Sequence, residues 1–302
     1  PRVQDVWGDI FLQALKDYGV SRGRVGIDPH MSYRTGKLLE HTLKGYELVD
    51  LSETLNRLRA IKTPDEIKAI EEACALAEVG LSAGWEALRA GVTEAELCAT
   101  VSAALLAAGA EGLYARRGTL VVSGERMSYR QESPSLTRVR HGDFVMIDVG
   151  PALRGYYCDF CRTSLVGRRP APWQRELYAA TYEALHAALA RVRAGVDGTE
   201  LHEAATAVME RFGIQNATAL IGHGVGVAPQ ESPYCVAGEL AAVPDQAVSR
   251  VTLEAGMVVA FSSAAYIPGQ GGCRFEEVVE VVGGGHRLLS RAPYPGRESF
   301  LA

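Results

Sequence analysis

Apolar residues recur at helical spacing through Ile67, Ile70, Cys74, Ala77, Leu81, Gly84/Trp85 and Leu88, a stripe that predicts a long helix with one packed face. Its start is marked by Thr63-Pro64-Asp65-Glu66, which combines a capping box, Pro at the first helical position and acids in the first turn. Ahead of it, the pattern predicts a helix over 6–18, a strand over 24–27, a helix near Leu38 and a strand over 47–50. Residues 1–58 therefore read as a short α/β segment. It is small for an independent domain and begins at Pro1 without an initiator Met, so we expect the last part of a larger N-terminal domain.

Over 142–167 the pattern changes to that of two strands joined by a tight connection. The apolar run 144–147 ends at Asp148, Gly150, Pro151 and Gly155 supply turn chemistry, and β-branched and aromatic residues resume over 156–166. An acid sits near the inner end of each strand. A carboxylate in such surroundings is costly unless a cation or several donors meet it, so Asp148 and Asp159 call for a common partner, of which a metal ion is the simplest.

The chain also repeats itself. Residues 89–97, RAGVTEAEL, match 193–201, RAGVDGTEL, at six of nine positions with an offset of 104. Both copies place a capping pair at the same point, Thr93 with Glu96 and Asp197 with Glu200, before a helix of similar length. A duplicated domain follows, with halves at about 63–167 and 171–285. The first half supplies Asp148 and Asp159. The second supplies the turn Gly222-His223-Gly224, an apolar strand over 257–261 ending in Ser262-Ser263, and Glu276-Glu277 leading into another strand. Polar residues from both halves point to a site on the pseudo-symmetry axis.

Composition removes several function classes. With 31 basic and 36 acidic residues the net charge is −5, and no basic run exceeds a pair such as Arg168-Arg169, so a nucleic-acid partner is not expected. The Ala-rich helices carry Glu or Arg every few residues and nothing resembles a signal peptide, so we expect no membrane association and a cytoplasmic location. Six scattered cysteines read as buried thiols rather than a disulfide framework. Cys158 and Cys161 form a CxxC in an expected strand, where positions three apart face opposite ways. Asp148, Asp159, His223 and Glu276 together make an O/N ligand set suited to Mn, Fe, Co or Zn.

The spacing Asp148-x-Gly150-x4-Gly155-Tyr156-x2-Asp159-x2-Arg162-Thr163, followed by Gly222-His223-Gly224-x-Gly226, Gly256-Met257-Val258 and Tyr266-x-Pro268-Gly269-x-Gly271-Gly272-x-Arg274-x-Glu276, resembles the pita-bread family of creatinase, aminopeptidase P, prolidase and methionine aminopeptidase. The segment Leu58-Arg59-x-Ile61-Lys62-x-Pro64-x-Glu66-Ile67 is similar to the entry into the catalytic domain of its aminopeptidase P and creatinase branch. The resemblance implies an α+β pita-bread fold, with pseudo-twofold halves and a curved antiparallel sheet flanked by helices. Residues 1–58 would be a partial N-terminal creatinase-like domain, 59–302 the catalytic domain, and the assembly a homodimer.

In metal-dependent members two Asp, one His and two Glu hold two metals, and the resemblance places Asp148, Asp159, His223 and Glu276 at four of these positions. This chain departs at the fifth, where Ser262 stands for the usual Glu, and at two family histidines, where it has Gln131 and Gln230. Gln can hydrogen-bond but cannot shuttle a proton near neutral pH. The expected cofactor is one or two divalent ions per chain, or none if Arg162, Arg274 and backbone donors hold the acids. Arg126 and Arg130, in the altered loop, and Tyr266 are candidates for substrate binding. Gln131, Gln230, Glu231 and Ser262 are the candidate catalytic positions. These departures lead us to expect C–N hydrolysis or metal-assisted elimination on a small, anionic, non-peptide substrate. The alternatives are an Xaa-Pro aminopeptidase or dipeptidase, and a catalytically inactive binding module of the same fold.

Overall fold

The computed structural model describes residues 3–28, 31–113, 119–129, 132–167, 169–214, 217–235 and 251–301. The chain divides into two compact units, Pro1–Leu58 and Arg59–Ala302. The first holds α1 (Val3–Asp17), β1 (Gly23–Ile27), α2 (Tyr33–Thr42) and β2 (Tyr46–Asp50), with β1 and β2 paired in parallel from Gly23↔Tyr46 to Ile27↔Asp50. A further helix, α3 (Ser52–Ala60), starts where the Asp50 carboxylate accepts the Ser52 N–H at 2.7 Å and leads into the second unit.

The second unit opens with α4 (Pro64–Ala87) and α5 (Glu94–Ala107). Both begin with complete capping boxes: Glu66 accepts the Thr63 N–H at 2.8 Å, and Glu96 accepts the Thr93 N–H at 2.8 Å. Strands β3 (Gly112–Leu113), β4 (Leu120–Ser123), β5 (Phe144–Val149), β6 (Pro151–Leu153), β7 (Tyr156–Tyr157) and β8 (Phe160–Leu165) follow, with a 3-10 turn over Gly124–Tyr129. The second half repeats the plan with α6 (Pro172–Leu189), α7 (Gly198–Arg211), β9 (Ala217–Gly224), β10 (Glu231–Cys235), β11 (Val258–Ile267), β12 (Gly271–Val282) and β13 (Gly285–Leu288), and α8 (Arg297–Leu301) follows. Its sheet runs β10-β9-β11-β12-β13, and the first half contributes β4-β5-β8 and β3-β6-β7, all antiparallel.

The duplication is visible in individual hydrogen bonds. The Gly91 N–H donates to the Val139 carbonyl and the Gly195 N–H to the Leu253 carbonyl, both at 2.8 Å. The returns from Val139 to Val92 and from Leu253 to Val196 are also 2.8 Å. Thr93 and Asp197, at equivalent helix starts, each form an isolated bridge, to Arg138 and Thr252 respectively. The expected pairing of Asp197 with Glu200 does not form. Thr93 Oγ1 accepts the N–H of Glu96, whereas the Asp197 carboxylate accepts the Thr199 N–H at 2.8 Å, one position earlier, and a Glu200 carboxylate folded back there would meet it with like charge.

Each helix pair covers its own strands: Leu81, Leu97 and Val101 pack with Val145 and Ile147, and Leu177, Leu185 and Leu201 with Phe261 and Phe275. The two halves meet where β8 lies against β12. Thr163 Oγ1 donates to the Arg274 carbonyl at 2.8 Å and accepts the Arg274 N–H at 3.1 Å. Beside it, Arg162 is fully buried and donates to the carbonyls of Glu276 at 2.7 Å and Ala292 at 2.8 Å, and to Glu277 Oε1 at 2.8 Å, with Tyr294 stacked 4.3 Å from the guanidinium. Arg162 therefore does not neutralise the acid cluster as expected. Alternation along β12 puts Glu277 on the opposite face from Glu276, and Arg162 serves that face.

Arg162→Ala would leave the buried Glu277 without its cation, and should cost about 3–5 kcal/mol of stability by urea unfolding. A loss below about 1 kcal/mol, the scale of a surface ion pair, would contradict this role.

Candidate metal centre

Asp148 comes from β5, Asp159 from the short link between β7 and β8, His223 from β9 and Glu276 from β12, so two ligand candidates come from each half. The strand periods aim them inward. Phe144, Met146 and Asp148 share one face of β5 while Val145 and Ile147 face the first helix pair. Across the second sheet, Ala260 pairs with His223 and Val278, and Ser262 with Glu276, so His223, Ser262, Glu276 and Arg274 share a face. The glycines flanking His223 are demanded by close approach. A Cβ at Gly222 would lie 2.5 Å from the Phe261 ring, and one at Gly224 would lie 2.4 Å from the Ser232 carbonyl oxygen.

His223 Nε2 lies 3.6 Å from Asp159 Oδ2 and 3.7 Å from Glu276 Oε1. Both His223 Nε2 and Glu276 Oε1 are buried and have no hydrogen-bond partner. Ligand atoms of the three residues all lie within 4.8 Å of one another. His223 Nδ1 lies 3.1 Å from the Gly224 carbonyl oxygen, which suits an N–H on Nδ1 and leaves the Nε2 lone pair facing the two acids. This donor set fits a divalent transition ion, and two orphaned buried atoms aimed at one point are what a bound cation resolves.

Asp148 has a different partner. Arg274 donates to Asp148 Oδ2 at 2.7 Å and to Glu276 Oε2 at 2.8 Å, a fork that ties β5 to β12. The second close group is Asp148, Cys161 and Glu276, because Cys161 sits directly opposite Asp148 in the β5–β8 register. Sequence reasoning took Cys161 for an inert buried thiol, and only the hairpin register could have revealed its position. Burial pushes the Cys161 thiol well above its usual pKa, so it stays protonated.

Without a cation between them, burial raises Asp159 well above the usual carboxylate range, with Glu276 and Asp148 adding repulsion. Burial likewise pushes Glu276 up to about 8, and lowers His223 to about 4, keeping its imidazole neutral.

The other candidate residues fall in different places. Ser262 is buried and faces Glu276 across β11 and β12, and Tyr266 lies over Gly272 within electrostatic range of Arg274. Glu231 turns to Lys62, 2.9 Å from its Nζ, close enough for a buried ion pair although poorly directed as a hydrogen bond. Burial lowers the Lys62 pKa, against the opposing pull of Glu231. Gln230 is exposed. Arg130 and Gln131 lie outside the described residues. Arg126, expected as a substrate arm, donates to Glu94 at 3.1 Å and to the Ser133 carbonyl at 2.8 Å. The fully buried Glu94 was missed by sequence reasoning. It also accepts the N–H groups of Ser123 at 2.8 Å and Ser135 at 3.0 Å, so it pins the loop between β4 and β5 to the start of α5.

Comparison with known proteins places these observations. The model of Metallopeptidase family M24 matches residues 68–282, and that of the Creatinase/Prolidase N-terminal domain matches residues 3–61. The Xaa-Pro dipeptidase of Pyrococcus furiosus is 30% identical over 268 residues, 88% of this chain and 73% of the relative. The prolidase of Pyrococcus horikoshii superposes with a TM-score of 0.84 at 28% identity, over 95% of this chain and 78% of the other. An X-Pro aminopeptidase of Thermotoga maritima shares the fold with a TM-score of 0.85 at 23% identity, over 96% and 78%. The pita-bread expectation is met. The expectation of a non-peptide substrate is corrected, because the relatives are named as Xaa-Pro dipeptidases despite the departures at Gln131, Gln230 and Ser262.

The shifted groups set a pH dependence for metal-free protein. His223, at about 4 folded against 6.5 unfolded, adds stability as pH rises to 6.5; Glu276, at about 8 folded against 4.5 unfolded, removes it as pH rises to 8, as does Asp159. Of these three groups, only the two carboxylates still contribute above pH 6.5. The melting temperature of chelator-treated protein should therefore fall between pH 6.5 and 8, with the stabilisation by added Mn largest at the alkaline end. A melting temperature that rises over this interval would contradict the assignment.

Proposed function

The chain belongs to metallopeptidase family M24, and from that premise we propose that it is a metal-dependent dipeptidase hydrolysing Xaa-Pro dipeptides. The observation that carries this reading is the convergence of Asp159, His223 and Glu276 on one buried point, in a chain whose relatives include Xaa-Pro dipeptidases. In this reading 1–58 is the N-terminal domain, 59–302 the catalytic domain and the assembly a homodimer. The ion is Mn, Fe, Co or Zn, as the mixed carboxylate and imidazole donors favour.

A divalent ion held there would supply Lewis acidity toward a peptide carbonyl and toward water. The chain's own residues do the rest. Asp159, His223 and Glu276 hold the ion, and the His223 Nδ1 contact with Gly224 fixes the imidazole's orientation. Arg274 holds Asp148 and Glu276 in place and offsets their charge. Ser262, shorter than a Glu and uncharged, places a hydroxyl beside Glu276 in the position from which it would meet substrate. Lys62, by holding Glu231, fixes the loop that carries Gln230 toward solvent.

Assay of Mn-loaded protein against a panel of Xaa-Pro dipeptides should show turnover. Because even outer partners of a metal ligand are worth about 10–100-fold, Asp159→Ala and His223→Ala should each lose more than about 100-fold. Absence of Xaa-Pro cleavage with all four metals would refute the proposal.

A further inference from the structure

Resting on that reading and deepening it, we propose that this chain works with one divalent ion, seated at Asp159, His223 and Glu276, and that the Arg274 guanidinium serves as the fixed second cation of the site. Charge balance carries the argument. Asp148, Asp159 and Glu276 are 7%, 4% and 0% exposed, and Arg274 is 9% exposed, so the cluster has little water to screen it. Ionised, the three acids bring three negative charges. Arg274, bonded to Asp148 Oδ2 at 2.7 Å and Glu276 Oε2 at 2.8 Å, supplies one positive charge, and a single divalent ion supplies the other two. His223, Ser262 and Cys161 add none. A second divalent ion would leave two positive charges with no side chain to balance them in a buried site, to be met only by hydroxide or another incoming anion.

The ligand atoms point the same way. His223 Nε2 and Glu276 Oε1 are buried and unpaired, and with Asp159 Oδ2 they surround one position. The other close group among the described residues is Asp148, Cys161 and Glu276. Each of its carboxylates already gives an oxygen to Arg274, and its third member is a thiol, a soft donor among hard ones. Ser262 sets the count. It stands directly across from Glu276 on the same face, so a longer, charged side chain there would extend beside that ligand. A carboxylate there would supply a further ligand and reduce the excess charge of a second ion from two to one.

The test uses the full chain equilibrated with Mn and read by plasma mass spectrometry. Wild-type protein should bind one ion per chain, and Ser262→Glu and Ser262→Asp should move toward two. A wild-type stoichiometry of two overturns the inference, as does unchanged binding by Ser262 variants that fold. Should neither variant fold, Co-loaded wild-type protein decides. It should show no sulfur-to-cobalt charge-transfer absorption, and a band that disappears in Cys161→Ser would overturn the placement. Two ions in a chain that cleaves Xaa-Pro dipeptides would overturn this inference and leave the peptidase reading standing. One ion without cleavage would do the reverse, and no bound ion would overturn both.

Discussion

Three carboxylates buried at the joint between two duplicated halves are the constraint on which the rest of the structure depends. Asp148, Asp159 and Glu276 come from different elements and repel one another when ionised, so the halves meet there with that charge either held down by protonation or met by cations. Arg274 supplies one within β12 and spans to β5. The unpaired His223 Nε2 and Glu276 Oε1, close to Asp159, leave a place for another. Around this centre the joint is closed by pairings that do not depend on an ion: Thr163 against the backbone of Arg274, and Arg162 with Glu277 on the far face of β12. Adjacent residues of β12, Glu276 and Glu277, thus belong to two charge clusters on opposite faces of the sheet.

Duplication explains how such a site is assembled and also where the halves have diverged. The bonds from Gly91 and Gly195 anchor equivalent turns, and equivalent helices begin at Thr93 and Asp197. At the next position the copies differ. Glu94 gathers Ser123, Arg126 and Ser135 around the loop after β4, whereas its counterpart Gly198 lies where a Cβ would come 3.2 Å from Cys235. One half has used this position to order a loop, and the other has used it to bring a strand close.

Much of this was legible in the sequence because the signals were local. The capping boxes at Thr63 and Thr93, the glycines that let β10 and Phe261 approach His223, and the eleven-residue separation of Asp148 and Asp159 belong to single segments or one hairpin. What the sequence hid was set across strands. Cys161 faces Asp148 only through register, Arg162 faces Glu277 only through the packing of β8 on β12, and Arg126 meets Glu94 across 32 residues of chain. Sequence reasoning also gave the losses at Gln131, Gln230 and Ser262 too much influence over substrate class. They alter individual groups in a site whose ligand geometry follows from the fold itself.

The most direct test of the account is the position of the metal. A crystal grown with Mn, with anomalous diffraction recorded on both sides of the Mn edge, should show a single peak bounded by Asp159, His223 and Glu276, with Arg274 still bridging Asp148 and Glu276. A peak between Asp148 and Cys161, or no peak within reach of His223 Nε2, would contradict it.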